Sequence, residues 1–207
     1  MEYETLAGLE TIQKVVKALA ERGVEAMVVE NKEEALAKIK EFIPPGASVM
    51  NGASKTLEQI GYIEYLKSGT QVHGWNNLHE AILAEKDKAK QALLRKQSVL
   101  SDYYLGSVHA LAETGEFVIA SNTGSQLPHI VFTSPDIIFV VSTKKIMPTL
   151  SDAMKRLEEH VVPLEDQNIM SKYNIHTMQS KTVIFKHENP MMGRKVRMIL
   201  VKENLGF

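Results

Sequence analysis

The sequence Ile137-Ile138-Phe139-Val140-Val141 places the strongest constraint on the fold. All five side chains are apolar, and each is either β-branched or aromatic, which is typical of a strand. A strand with one solvated face alternates apolar and polar side chains, whereas an unbroken apolar run predicts a strand that is covered on both faces. The chain must therefore supply covering elements for two sides of a sheet.

Helical and strand patterns alternate along the chain. The predicted helices cover residues 5–21, 32–43, 57–66, 78–100, 149–161 and 164–173. The predicted strands cover residues 24–29, 47–50, 70–74, 117–120, 137–141, 182–186 and 195–202. This alternation predicts an α/β fold with a mostly parallel sheet flanked by helices. No internal repeat or break in composition divides the chain, so we expect one domain over residues 1–207, with 1–45 as its helix–strand–helix lead-in.

The composition is that of an ordinary globular protein and argues against several functional classes. Apolar residues make up 44% of the chain, and the net charge of -1 gives no electrostatic reason to expect nucleic acid or an anionic membrane as a partner. The seven histidines show no metal-ligand spacing, so we expect no metal site. The first ten residues do not form a signal peptide, and no apolar run approaches the ~18–20 residues of a membrane span, so we expect a cytoplasmic protein.

The loops after Met50, Ala120 and Val141 are the expected ligand-binding positions, because parallel sheets bind ligands at the carboxyl ends of their strands. The first loop contains Asn51, Gly52 and Ser54 and leads into a helix, whose free amides attract anions. The alternative is a simple capped turn, in which Ser54 or Thr56 only caps the helix.

The other two loops offer further polar groups. Ser121, Asn122, Gly124, Ser125 and Gln126 supply hydroxyls and amides that suit a carboxylate or a phosphate. The alternative is an ordinary hydrophilic loop between strands. Lys145 follows the third strand and suits an anion there, whereas a solvated turn is the other interpretation of the Lys144-Lys145 pair.

Glu113 is the candidate for chemistry. It lies between an apolar segment and the strand at 117–120, where desolvation would raise its pKa and suit acid–base or nucleophilic work. The alternative is an exposed glutamate in a turn. Ser107 and His109 are close in sequence to Glu113, but spacing alone does not make a catalytic triad. We interpret His109 as a buried structural histidine.

Several motifs together resemble one known family. They are Asp102–Ala110, Glu113-Thr114-Gly115, Ala120–Pro128, Lys145-Ile146 with Leu150, Ala153 and Arg156, and the loop Asn51–Ser54. With these motifs the chain resembles the LUD-domain (lactate-utilisation-type) proteins over nearly its whole length.

The resemblance implies the α/β fold shared by ribose-5-phosphate isomerase, glucosamine-phosphate isomerase and the CoA transferases. In those CoA transferases a glutamate in a Glu-x-Gly sequence is the nucleophile, and Glu113 looks like that position. Some LUD-domain proteins act with iron–sulfur partners in oxidising L-lactate to pyruvate. This chain has no cysteine, so any redox centre would lie in a partner, an iron–sulfur or flavin protein. It also has Ser125-Gln126 where many relatives have Asn-Arg, and therefore lacks an arginine clamp for a carboxylate.

These observations predict a cytoplasmic LUD-domain protein that binds a small anionic metabolite, alone or as an accessory subunit in lactate or organic-acid oxidation. Glu113 would be the reactive carboxylate, the two small-residue loops would supply donors, and Lys145 would supply a positive charge. One alternative is an enzyme of the sugar-phosphate isomerase or acyl/CoA-transfer type that uses Glu113. The other is a non-catalytic interaction protein. The sequence identifies no cofactor or substrate and leaves open whether the chain forms a homo-oligomer.

Overall fold

The computed structural model describes residues 2–207 and contains two sheets with covering helices. Its strands are β1 (Val24–Val29), β2 (Ser48–Asn51), β3 (Asn76–Asn77), β4 (Tyr103–Gly106), β5 (Ala110–Ala112), β6 (Phe117–Ser121), β7 (Asp136–Ser142), β8 (Ile146–Met147), β9 (Lys181–Phe185) and β10 (Lys195–Val201). Its helices are α1 (Leu9–Glu21), α2 (Lys32–Phe42), α3 (Lys55–Gln59), α4 (Tyr62–Lys67), α5 (Thr70–His73), α6 (Leu78–Ala84), α7 (Lys88–Gln97), α8 (Leu150–Arg156) and α9 (Val162–Tyr173).

The larger sheet has six strands in the order β1-β10-β7-β4-β2-β3, and all of its neighbouring strands are parallel. Strand β7 lies inside this sheet between β10 and β4. Its side chains alternate between the two faces, as a pleated strand requires. Phe139 belongs to the core that contains α1, whereas Ile138 and Val140 belong to the core that contains α2, α3 and α4. The predicted strand with two covered faces is therefore confirmed, and so is the mostly parallel sheet flanked by helices.

The smaller sheet has four strands in the order β8-β5-β6-β9. Phe117 and Ile119 of β6 pack toward the larger sheet, and Val118 and Ala120 pack toward α8. The molecule is thus layered. Helices α2, α3 and α4 cover one face of the six-stranded sheet, α1 and the four-stranded sheet cover its other face, and α8 covers the outer face of the four-stranded sheet. Within the described residues, none of these helices combines the length and the apolar character that crossing a bilayer requires.

Three local predictions were wrong. The single helix expected over 57–66 is divided into α3 and α4, because Gly61 between them adopts the left-handed conformation. The single helix expected over 78–100 is divided into α6 and α7, because the Asp87 side chain accepts hydrogen bonds from the amides of Ala89 and Lys90 and so starts a new helix. The strand expected over 70–74 is the short helix α5. It ends at Gly74, which adopts the left-handed conformation that glycine permits.

The packing of β7 leads to a stability prediction. Phe139 is fully buried and meets the Phe117 ring edge-on at 5.4 Å, so Phe139→Ala should lower the free energy of unfolding by about 3–5 kcal/mol. Phe132→Ala is the matched control, because the Phe132 side chain is 65% exposed, and its effect should stay within about 0.5 kcal/mol. Denaturant unfolding measures both variants. Equal losses would contradict the central position of β7.

Candidate functional site

A cavity of about 370 Å³ lies at the carboxyl ends of β2, β4 and β7. The loop after β6, helix α9 and residues 177–179 complete its wall. This volume falls within the range of roughly 300–1,000 Å³ that small-molecule sites occupy. All three loops predicted from the strand ends therefore meet around one space.

Three neighbouring strands bring polar side chains together at the inner end of this cavity. Thr56, Ser107 and Lys145 follow β2, β4 and β7, respectively, and all three line the cavity. The Lys145 Nζ atom lies 3.1 Å from the Ser107 Oγ atom, 3.3 Å from the Thr56 Oγ1 atom and 3.1 Å from the carbonyl oxygen of Val108. The amine is therefore held by two hydroxyls and one carbonyl, and these contacts include no carboxylate.

The two lysines after β7 have different surroundings. Lys144 forms an ion pair with Glu4 at 2.7 Å and donates to the carbonyl of Gly206. Lys145 is 4% exposed, and burial together with the charges of Arg156 and Lys144 lowers its pKa well below 10.5; Glu4 opposes this shift. The solvated turn considered for this pair is wrong, because both side chains are buried.

His109 lines the cavity as a neutral side chain. Its Nδ1 atom accepts a hydrogen bond from the backbone amide of Ala120 at 3.1 Å, which places the ring proton on Nε2. Burial, followed by the charges of Lys145 and Arg156, lowers the pKa of His109 to about 3. The ring therefore remains uncharged at neutral pH and offers an N–H donor.

The predicted loop residues divide into two groups. Those that line the cavity are Gly52, Ser54, Ser121, Asn122, Ser125, Gln126 and Lys145, whereas Asn51 and Gly124 are outside its lining. Ser54 also caps α3 by accepting a hydrogen bond from the amide of Leu57, so its position fits both interpretations given above. A ligand-binding role for this set stays a prediction.

Gln126, in the loop after β6, lies beside Gly52 in the loop after β2. Its Oε1 atom accepts a hydrogen bond from the Tyr104 hydroxyl at 3.2 Å, and its amide donates to the carbonyl of Ala120. A Cβ atom at Gly52 would lie 2.5 Å from that hydroxyl oxygen, so only glycine permits the approach. Gln126 thus links Tyr104 of β4 to Ala120 of β6 in the cavity wall.

Glu113 does not line the cavity. Its carboxylate pairs with Lys14 of α1 at 2.7 Å, and its amide donates to the carbonyl of Met147. The next glycine, Gly115, packs directly on the backbone of Ala18 in α1. The catalytic role of Glu113 stays a prediction, but the structure places its carboxylate beside α1 and apart from Lys145 and the loops.

Helix α9 contributes a wall that the sequence reasoning missed. Glu165 lines the cavity, and burial raises its pKa although Asn168 donates a hydrogen bond to it at 3.2 Å. The π-helical turn Leu157–Val161 joins α8 to α9 and brings Leu157 and Val161 to the same wall. The sequence signal was Pro163, which cannot continue regular helical hydrogen bonding and often accompanies a change in the course of a helix.

Polar contacts join elements on opposite sides of the cavity. Lys172 of α9 pairs with Glu58 of α3 at 3.6 Å. The amide of Asn122 donates to the Thr177 hydroxyl, and the backbone amide of Thr177 donates to Asp166 at 2.7 Å. Within residues 2–207, no three histidine, aspartate or glutamate side chains cluster as metal ligands would.

The fold and the cavity define an α/β protein with a candidate small-molecule site at the carboxyl edge of a parallel sheet. The family model of the LUD domain matches residues 12–200, and the chain belongs to this family, which confirms the resemblance. A DUF162-family protein from Deinococcus radiodurans, known from its crystal structure, is 10% identical to this chain with a TM-score of 0.56. That match covers 95% of this chain and 99% of the other, and it supports the common fold. No curated protein matches the chain.

Gly206 provides a test of how the inner end is packed. A Cβ atom there would lie 2.3 Å from the Thr56 Oγ1 atom and 2.9 Å from the Lys145 Nζ atom. We expect Gly206→Ala to cost about 1–3 kcal/mol more than Gly193→Ala in denaturant unfolding. Gly193 is the matched control because its φ of 69° is close to the 70° of Gly206, while a Cβ atom there meets nothing within 4 Å. Equal costs would show that backbone strain alone matters at Gly206.

Proposed function

We propose that this LUD-domain protein binds a small anionic metabolite, with a carboxylate as the recognised group, in the cavity at the carboxyl ends of β2, β4 and β7. The observation that carries the proposal is the position of Lys145. Its amine lines the cavity and contacts two hydroxyls and a carbonyl, so it has no carboxylate partner in these contacts. An incoming carboxylate would supply that partner.

The distribution of polar groups around the cavity supports an anion at its inner end. Hydroxyl donors line the cavity at Ser54, Thr56, Ser107, Ser121 and Ser125. The lining carboxylates Glu58 and Glu165 belong to α3 and α9, and Glu58 is paired with Lys55 and Lys172. Hydrogen bonds from such donors to a charged ligand contribute about 1.5–3 kcal/mol each.

Binding should be coupled to proton uptake by Lys145. Burial favours the neutral amine in the free protein and lowers its pKa, whereas a carboxylate beside the Nζ atom favours the ammonium form. A ligand that raises the pKa of Lys145 therefore takes up a proton on binding. The affinity for the carboxylate should rise as the pH falls from the pKa of the complex toward that of the free protein.

The resemblance to lactate-utilisation proteins narrows the class of ligand that we propose. Small hydroxy acids and oxo acids fit a cavity of about 370 Å³. In an accessory role in organic-acid oxidation in the cytoplasm, the chain would hold the acid, and an iron–sulfur or flavin partner would accept the electrons. The absence of cysteine supports this division, because the chain offers no thiolates for a cluster.

A thermal-shift screen of L-lactate, pyruvate, other small carboxylates and sugar phosphates tests the proposal. A ligand at 100 times its dissociation constant should add about 2.7 kcal/mol to the free energy of unfolding. For the best carboxylate, Lys145→Met should weaken binding about 10- to 100-fold, the loss expected for a charge-assisted hydrogen bond. Calorimetry in buffers of different ionisation enthalpy should show proton uptake.

Two further variants make this experiment decisive. Lys67→Met on the exposed surface of α4 should leave the affinity unchanged. Glu113→Gln separates the cavity account from the prediction made for Glu113, because the cavity account expects the same affinity as the unmodified protein. A screen without any carboxylate ligand, or a loss of binding on Glu113→Gln with no effect of Lys145→Met, would contradict the proposal.

A further inference from the structure

The Ser107 hydroxyl and the Lys145 amine form a pair that ligand binding alone does not require. The Ser107 Oγ atom lies 3.1 Å from the Lys145 Nζ atom, and both residues line the cavity. A nucleophilic hydroxyl needs a base within hydrogen-bond reach, about 2.6–3.2 Å, and this pair meets that condition. His109 is not the base, because its Nδ1 atom is occupied by the amide of Ala120.

The surroundings of Lys145 suit a proton acceptor. Hydroxyl groups can either donate or accept, so Ser107 and Thr56 can satisfy the amine in its neutral form as well as in its charged form. A carboxylate in their place would favour the ammonium ion and remove the lone pair that a base needs. Burial beside Arg156 and Lys144 lowers the pKa of Lys145 and thereby favours the neutral amine.

The amine is also fixed in position, as a base oriented by further groups must be. The carbonyl of Val108 accepts a hydrogen bond from the Nζ atom at 3.1 Å, and the Thr56 hydroxyl lies at 3.3 Å. Gly206 closes over the same atom, since a Cβ atom there would be 2.9 Å from Nζ. Ser107, Thr56 and Val108 line the same cavity as the amine.

We propose that Ser107 and Lys145 form a serine–lysine dyad that hydrolyses a small carboxylic ester or thioester bound in this cavity. The inference rests on the proposed function, because the carboxylate that the cavity is proposed to bind is the acid product of this reaction. Ser107 is the nucleophile, Lys145 is the general base, and Thr56 is a positioning residue.

The proposed reaction has two steps. In the first, the Ser107 Oγ atom attacks the acyl carbon, and the hydroxyl proton passes to the Lys145 Nζ atom. The bond between the acyl carbon and the leaving group then breaks, and the leaving alcohol or thiol takes that proton from Nζ. In the second, water attacks the acyl-serine ester with Lys145 again as base, and the Oγ atom regains a proton as its bond to carbon breaks. One ester and one water give one acid and one alcohol or thiol, without oxidation or reduction. The neutral His109 ring supplies an N–H donor in the same cavity for the carbonyl oxygen.

The test uses the full chain with p-nitrophenyl acetate as the ester probe and S-acetyl-N-acetylcysteamine as the thioester probe. Intact-mass and peptide mass spectrometry should locate an acetyl group on Ser107. Ser107→Ala should abolish this adduct. Lys145→Met and Lys145→Arg should each slow acylation about 10²–10⁴-fold, the range that general-base catalysis contributes. The arginine variant keeps the positive charge but cannot act as a base, so it separates proton transfer from charge.

The acylation rate should also rise with pH and level off above the pKa of Lys145. The charged and titratable groups around this amine are Arg156 of α8, Lys144 of the same turn, Glu4 near the start of the chain and His109 after β4. The pKa of His109 is lowered to about 3, that of Glu4 is lowered, against the effect of burial, by its hydrogen bonds to Lys144 and Asn204, and that of Arg156 is lowered by burial only to about 10. A rise of the rate near neutral pH therefore reports Lys145.

The outcomes separate this inference from the proposed function. Acetylation of Ser107 that depends on Lys145 supports the dyad, and the exposed variants Ser171→Ala and Lys67→Met should leave the rate unchanged. Equal acetylation in Lys145→Arg and the unmodified protein would overturn the role of Lys145. If Ser107 stays unmodified while a carboxylate still stabilises the protein, the dyad is wrong and the binding proposal stands. If neither probe modifies Ser107 and no carboxylate stabilises the protein, the dyad and the binding proposal are both wrong.

Discussion

The burial of β7 on both faces is the constraint on which the rest of the structure depends. A strand of five apolar residues inside a parallel sheet must be covered above and below, and the chain provides α1 with the smaller sheet on one side and α2, α3 and α4 on the other. The same arrangement buries whatever follows the strand. The turn after β7 therefore places Lys144 and Lys145 in the interior, although lysines are normally solvated.

The burial of Lys145 by this architecture sets the protonation of its amine, on which the candidate chemistry depends. Lys144 pairs with the carboxylate of Glu4, whereas Lys145 contacts hydroxyls and a carbonyl, and burial lowers the pKa of Lys145 and favours its neutral form. A buried amine of this kind has two chemical uses in a cavity. It gains a proton when an anion binds beside it, and it accepts a proton when a neighbouring hydroxyl attacks a bound acyl group. Both uses depend on the same environment, and in the reaction that we propose they concern the acid product and the ester substrate.

Much of the fold could be predicted from periodicity, because the apolar run at 137–141 and the alternation of helices and strands depend on local sequence. The division at Asp87 could not, since its capping side chain competes with a helical pattern that also fits the segment. The candidate site was predicted only in part. The loops after the strands were visible, but the contact between Ser107 and Lys145 joins residues 38 positions apart. It depends on the direct pairing of β4 with β7, which are separated in the chain by β5 and β6. Glu113 was a candidate for catalysis because of its neighbours in sequence. In the structure it directly follows β5 and lies beside α1, where it pairs with Lys14.

The protonation state of Lys145 is the central claim, and nuclear magnetic resonance of protein with ¹³C-labelled lysine measures it directly. The signal of Lys145 can be assigned by its loss in Lys145→Arg. We predict that Lys145 titrates well below 10.5, the ordinary lysine value. Titration of Lys145 at about 10.5 would contradict the account, because a fully charged amine could neither take up a proton on binding nor act as a base for Ser107.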